Sequence, residues 1–184
     1  LEEACRQALA WDGRRIASVN LSPRQLSHSD VPALLERALE QTGLDPGMLE
    51  LEITENVLME QSASALATLR RLKAMGVRLV LDDFGTGWSS LAYLKRFPLD
   101  GLKIDREFVA GLGSSAEDTA IVAAVLSMAQ ELGLVVIAEG VETDAQLAWL
   151  RARSCGFAQG YLLGRPAPAE QLDELPGWTA SGPA

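Results

Sequence analysis

Asp82 and Asp83 stand side by side at the end of the apolar run VRLVL and lead into FGTGWSSL. Neighbouring residues on a strand point to opposite faces, so both carboxylates can serve one site only where the strand ends. There, one can bridge two divalent cations about 4 Å apart while the other completes a coordination shell, as two-metal phosphoryl chemistry requires. The plain alternative is a solvated turn, since Asp is common ahead of Gly-rich loops. The loop itself has two readings: a mobile lid or set of backbone donors for a phosphate, or a tight connection with Ser89 or Ser90 capping a helix.

Other residues of the same chemical kind recur at the ends of apolar runs: Asn20, Glu52 with Glu55, Lys103 with Asp105, Glu139 with Glu142, and Gln159. Brought to one place, the acids repel one another strongly unless cations are bound. Hard oxygen donors select Mg²⁺ or Mn²⁺, whereas zinc prefers His and Cys. The single histidine, His28, falls in a loop and reads as surface. Lys103, in the apolar run LKID, could orient a water or a phosphate, or could form a structural ion pair. Glu139 and Glu142 lie in AEGVET, where Gly140 allows a sharp turn; they read as ligand and support, or as a capped helix entrance. Glu55 reads as a positioning residue.

The elements that must carry these residues alternate in type. Helical patterns cover 30–42, with Pro32 in the first turn and Gly43 past the end, then 61–75 before Gly76, 89–96, and 116–132 before Gly133. The run DAQLAWLRARS follows Thr143 and Gln146, which have capping-box spacing. Strand patterns fall at 16–20, 49–53, 77–81, the GLKI run, 134–138 and around Phe157–Leu163, with a short helix near 168–175. Six strands alternating with helices predict a parallel sheet with helices outside it. A doubly wound sheet predicts a Gly-rich turn after an early strand, but SVNLSPRQ holds no glycine. A TIM-type (β/α)8 barrel predicts functional residues at the ends of many strands, which fits the pattern. Such a barrel typically has about 250 residues; at 184 residues the reading is an N-terminally incomplete barrel of about six βα units.

Bulk properties agree. The chain is 48% hydrophobic with few aromatics and carries a formal charge of −9. That charge argues against a nucleic acid polymer as partner, which normally needs a basic face, but not against a small phosphate ligand neutralised by metal. Cys5 and Cys155 are far apart, with no zinc or disulfide spacing, which fits a cytoplasmic setting. No apolar run approaches the ~18 residues of a membrane span.

The ordered set VNLS, LEITE, DDFGTGWSSL, LKIDREFV, AEGVET and QGYLLGRP resembles the EAL family of cyclic di-GMP phosphodiesterases. The resemblance covers residues 1–175 as one domain, with 176–184 as a tail. It implies hydrolysis of cyclic di-GMP to linear pGpG with two ions, Mg²⁺ or Mn²⁺. Asn20, Glu52, Asp82 and Glu139 match metal ligands, Asp82 as the bridge, and Asp83 matches a ligand of the second ion. Lys103 matches the residue that holds the attacking water. Glu142 and Gln159 match supporting positions, and Glu55 matches the residue that steadies the DFGTG loop. The chain departs from the pattern at its front: nothing matches the Glu-Ala-Leu segment of the first two strands, with its metal-binding Glu and phosphate-contacting Arg. The expectation is that this chain alone is inactive. Gly156 and Trp88 are milder departures. The resemblance also implies a homodimer and an upstream sensor or GGDEF domain. A non-catalytic cyclic di-GMP receptor or scaffold, and another metal-dependent barrel enzyme for a small anionic substrate, stay open as alternatives.

Overall fold

A computed structural model describes residues 1–11, 15–59, 63–85, 94–169 and 171. Six strands, β1 (Ala17–Leu21), β2 (Leu49–Thr54), β3 (Arg78–Phe84), β4 (Gly101–Ile104), β5 (Val135–Ala138) and β6 (Phe157–Ala158), form one sheet. All pairings are parallel, and the strands lie in chain order from β1 to β6. A doubly wound sheet reverses its order at a switch point. Here each strand lies beside its predecessor without reversal, which is the winding of a TIM-type barrel. Of the two architectures the sequence allowed, the strand order selects the barrel.

Eight α-helices are described: α1 (Glu2–Ala10), α2 (Pro23–His28), α3 (Val31–Thr42), α4 (Glu55–Met59), α5 (Ala63–Ala74), α6 (Arg106–Ala110), α7 (Ala116–Leu132) and α8 (Asp144–Arg151). Their ends follow local chemistry. The Asp30 side chain accepts from the Ala33 N–H at the start of α3, and Gly43 ends it at φ +70, a left-handed position that glycine takes without strain. Ser115 caps α7, and Gly133 closes it at φ +69. Thr143 and Gln146 form the capping box the sequence predicts at α8.

Three short helices, α2, α4 and α6, lie where the sequence reading has only loops, and His28 is the exposed last residue of α2 rather than a loop residue. The last strand is shorter than the predicted 157–163. After Ala158 the chain turns, and the Leu163 and Gly164 N–H groups donate back to the Gly160 carbonyl. Most of the helices predicted at 89–96 and 168–175, with the tail 176–184, lie outside the described residues.

The sheet has two unlike faces. On β2, Leu49, Leu51 and Ile53 are fully buried with Leu35, Leu69 and Leu72 of the surrounding helices. Each such side chain contributes roughly 1.5–3 kcal/mol by leaving water. The period-two geometry of a strand turns Glu50 and Glu52 to the other face. The register sets Ser18 across from Glu50 and Asn20 across from Glu52, and the Ser18 hydroxyl donates to Glu50 Oε1 at 2.9 Å. A polar layer therefore lines the inner side of the sheet, below the strand ends where the chemistry-bearing residues converge.

Candidate active site

The paired aspartates are presented by a bulge. Leu81 pairs with Leu102 and Phe84 with Ile104, so Asp82 and Asp83 together stand opposite Lys103. An extra residue in one strand bends it and re-aims its side chains. Asp83 takes it up with φ +55, a left-handed conformation that Asp tolerates better than most residues. The bulge removes the alternation that otherwise sends neighbours to opposite faces. Carboxylate oxygens of Asp82, Asp83 and Glu139 all lie within 4.8 Å of one another.

Lys103 stands among these acids. Its Nζ is 2.6 Å from Glu139 Oε1, 3.2 Å from Glu52 Oε1 and 3.2 Å from Asp82 Oδ1. The three acids come from β2, β3 and the end of β5. Lys103 and Glu52 side chains are each only 9% exposed. Burial pulls the Lys103 pKa down, but the Glu139 hydrogen bond and the charges of Glu52, Glu139 and Asp82 outweigh it and hold the ammonium above its ordinary value. Burial raises Glu52 and Glu139 from the usual carboxylate range, and Lys103 offsets this only in part. Burial also raises Asp83, helped by the charges of Asp82 and Asp105. For the carboxylates burial is the largest cause, and the crowding of negative charge around one ammonium adds to it. Oxygen donors from several strands, converging in this way, fit a divalent cation of the Mg²⁺ or Mn²⁺ kind.

The remaining predicted residues take different positions. Gln159 donates from Nε2 to Glu139 Oε1 at 2.7 Å, so it supports the Glu139 carboxylate directly. Asn20 is on β1 in register with Glu52. Glu55 is buried at 4% exposure at the start of α4. Asp105 caps α6, accepting from the Glu107 N–H at 2.7 Å, and its charge acts on Asp83. Glu142 is exposed; its backbone N–H donates to Gln146 Oε1 at 2.8 Å. Residues 86–93, including Trp88, Ser89 and Ser90, lie outside the described residues.

Two features escaped the sequence reading although signals for them exist. Ser22 and Gln25 form a capping box that starts α2 right after β1, and SPRQ has the required spacing with Pro in the first turn. The Ser18–Glu50 pair is foreshadowed by the strict alternation in LELEI, which marks two faces where a uniformly buried strand would be apolar throughout.

The chain matches the EAL domain over residues 1–166. Among curated relatives, the bifunctional diguanylate cyclase/cyclic di-GMP phosphodiesterase MucR of Pseudomonas aeruginosa is 47% identical over 176 residues, which are 94% of this chain and 26% of MucR. The cyclic di-GMP phosphodiesterase NbdA of the same organism is 46% identical over 95% of this chain and 23% of its own length. Among solved structures, the MucR phosphodiesterase in complex with c-di-GMP superposes with TM-score 0.88 at 46% identity, covering 93% of this chain and 71% of that one. Klebsiella pneumoniae BlrP1 with manganese and cyclic di-GMP gives 0.83 at 34% identity, covering 90% of this chain and 43% of that one. The chain thus spans 26% of the length of MucR and 23% of that of NbdA.

Proposed function

Because this chain belongs to the EAL domain family, we propose that it supplies most of the catalytic domain of a bacterial cyclic di-GMP phosphodiesterase, which hydrolyses one phosphodiester bond to give linear pGpG. The observation that supports this best is the meeting of Lys103 with Glu52, Asp82 and Glu139 from three other strands, beside Asp83 on its bulge.

In this reading Asn20, Glu52, Asp82, Asp83 and Glu139 would hold divalent ions. Bound ions of this kind lower the pKa of a water, draw negative charge off the phosphorus centre and stabilise the leaving oxygen. The chain's own residues supply the rest. Lys103, kept protonated by its carboxylates, donates to the attacking water and fixes its approach in line with the bond that breaks. Gln159 keeps the Glu139 carboxylate turned into the site. Glu55 steadies the turn that follows Asp83, and Asp105 and Glu142 support the rim. The acidic rim disfavours a nucleic acid polymer, and a small dinucleotide carries few enough phosphates for bound cations to neutralise.

The unit is taken as residues 1–175 with a short tail, acting as part of a longer signalling protein with a sensor or GGDEF domain upstream. Homodimerisation and a cytoplasmic location belong to the same reading. Among the described residues, no helix is long and apolar enough to cross a membrane.

The test is to incubate the full-length protein with cyclic di-GMP and follow pGpG by chromatography, with Mg²⁺, with Mn²⁺ and with chelator. The expected result is pGpG with either ion and none with chelator. Retention of intact cyclic di-GMP on the folded, metal-loaded protein makes it a receptor instead. Absence of both binding and cleavage points to another small anionic substrate.

A further inference from the structure

Three charged parts of the site converge on one short helix. α6 follows β4, which carries Lys103, by a single intervening residue, Asp105. At the helix start, a Cβ added to Gly140 would lie 2.5 Å from Arg106 Cβ, so the stem of Arg106 rests directly on the turn that follows Glu139. Two residues along, a Cβ added to Gly85 would lie 2.7 Å from Phe108 Cε2 and 3.2 Å from Cζ. The edge of the Phe108 ring is therefore packed on the backbone that follows Asp82 and Asp83. Both glycines have positive φ, +104 at Gly85 and +69 at Gly140, so each turn adopts its shape with a side chain of α6 filling the place of a Cβ.

The helix is itself held in place. Gln146 Nε2 donates to the Val109 carbonyl at 3.1 Å in a buried hydrogen bond, and the Val109 side chain is fully buried in the core. Gln146 also accepts from the Glu142 and Thr143 N–H groups, so one side chain ties α6 to the entrance of α8. A five-residue helix alone has little stability; these anchors make it a fixed block between two acid-bearing turns.

We propose that Phe108 is a positioning residue for the metal-bearing turn of β3: its ring edge sets the height of the Gly85 backbone and so aligns Asp82 and Asp83 with Lys103 and Glu139. This rests on the metal-dependent reading above. Phe108 carries no ligand atom and acts only through the backbone it supports. Phe108→Ala leaves a gap into which the Gly85 turn can settle, and the bulge that presents two aspartates to one site relaxes with it. Loss of groups that orient metal ligands typically costs roughly 10- to 100-fold in metal affinity or activity.

The experiment is a Mn²⁺ titration of the full-length protein without substrate, read from the electron-spin signal of free Mn²⁺, together with thermal midpoints. Wild type, Phe108→Ala, Phe108→Leu and Leu35→Ala are compared. Leu35 is the control, since it is fully buried in the same core but on α3, away from α6. The expected result is weaker Mn²⁺ uptake in Phe108→Ala, by roughly tenfold or more, with substantial recovery in Phe108→Leu. Leu35→Ala should lower the thermal midpoint and leave Mn²⁺ uptake as in wild type. Unchanged uptake in Phe108→Ala, or an equal loss in Leu35→Ala, overturns the positioning role. A wild-type protein that takes up no Mn²⁺ overturns the metal-dependent reading itself.

Discussion

The two faces of β2 obey opposite rules. Outward, Leu49, Leu51 and Ile53 are fully buried in a leucine-rich core, where stability comes from volume and from exclusion of water. Inward, Glu50 and Glu52 are nearly as buried, at 9% and 7% exposure, and each is tolerated only because a partner meets it: Ser18 for Glu50, Lys103 for Glu52. The outer face gains by burying what water rejects. The inner face holds carboxylates where water is scarce, and charge so placed attracts a cation more strongly than it would in water. One strand thus serves as framework on one side and carries part of the candidate site on the other, so substitutions on the two sides should separate stability from activity.

Lys103→Met should break this separation most severely. It leaves buried Glu52 and the partly buried Asp82 and Glu139 without their ammonium, and breaking a buried pair in this way costs about 3–5 kcal/mol; urea unfolding in chelator measures it, and pGpG formation should be lost as well. Leu51→Ala belongs to the other face. It should cost about 2–5 kcal/mol in the same unfolding assay, while turnover per folded molecule stays at the wild-type level.

Glu52→Gln sharpens the contrast through pH. Burial raises the folded-state pKa of Glu52, so the folded protein binds this proton more tightly than the unfolded chain. The stability this provides is present at acid pH and is lost as pH rises through the raised folded value. In chelator, Glu52→Gln should therefore show a flatter decline in stability from acid to neutral pH than wild type, with activity abolished. Ser18→Ala should be mildest. It removes the hydroxyl that donates to the buried Glu50 carboxylate, at about 1.5–3 kcal/mol, with kcat unchanged.

Legibility differed between the two faces. The long helices and the β2, β4 and β5 runs could be read because periodicity, caps and closing glycines all agree, as with Pro32 and Gly43 or Thr143 and Gln146. That Glu52, Asp82, Asp83, Lys103, Glu139 and Gln159 meet could be read because each stands at or near the end of a strand. How Asp82 and Asp83 share one site could not: the bulge depends on the pairing of β3 with β4, which no local pattern encodes. The same limit hid α6, whose place is set by contacts with Gly85, Gly140 and Gln146, all distant in sequence. The last strand was read too long because YLL has strand-like composition, whereas contact decides. Gly160 lies so close to Val141 that an added Cβ would be 2.2 Å from its backbone N and O, and the chain turns there.

The account stands or falls on whether the bulged aspartates hold the reacting centre. The direct measurement is single-turnover conversion of cyclic di-GMP to pGpG by full-length wild type and Asp82→Asn with Mg²⁺, on samples matched for folding. Metal charge stabilisation amounts to several kcal/mol, so the account predicts a rate lower by on the order of a thousandfold or more in Asp82→Asn. Cleavage by the folded Asp82→Asn protein at the wild-type rate would contradict it.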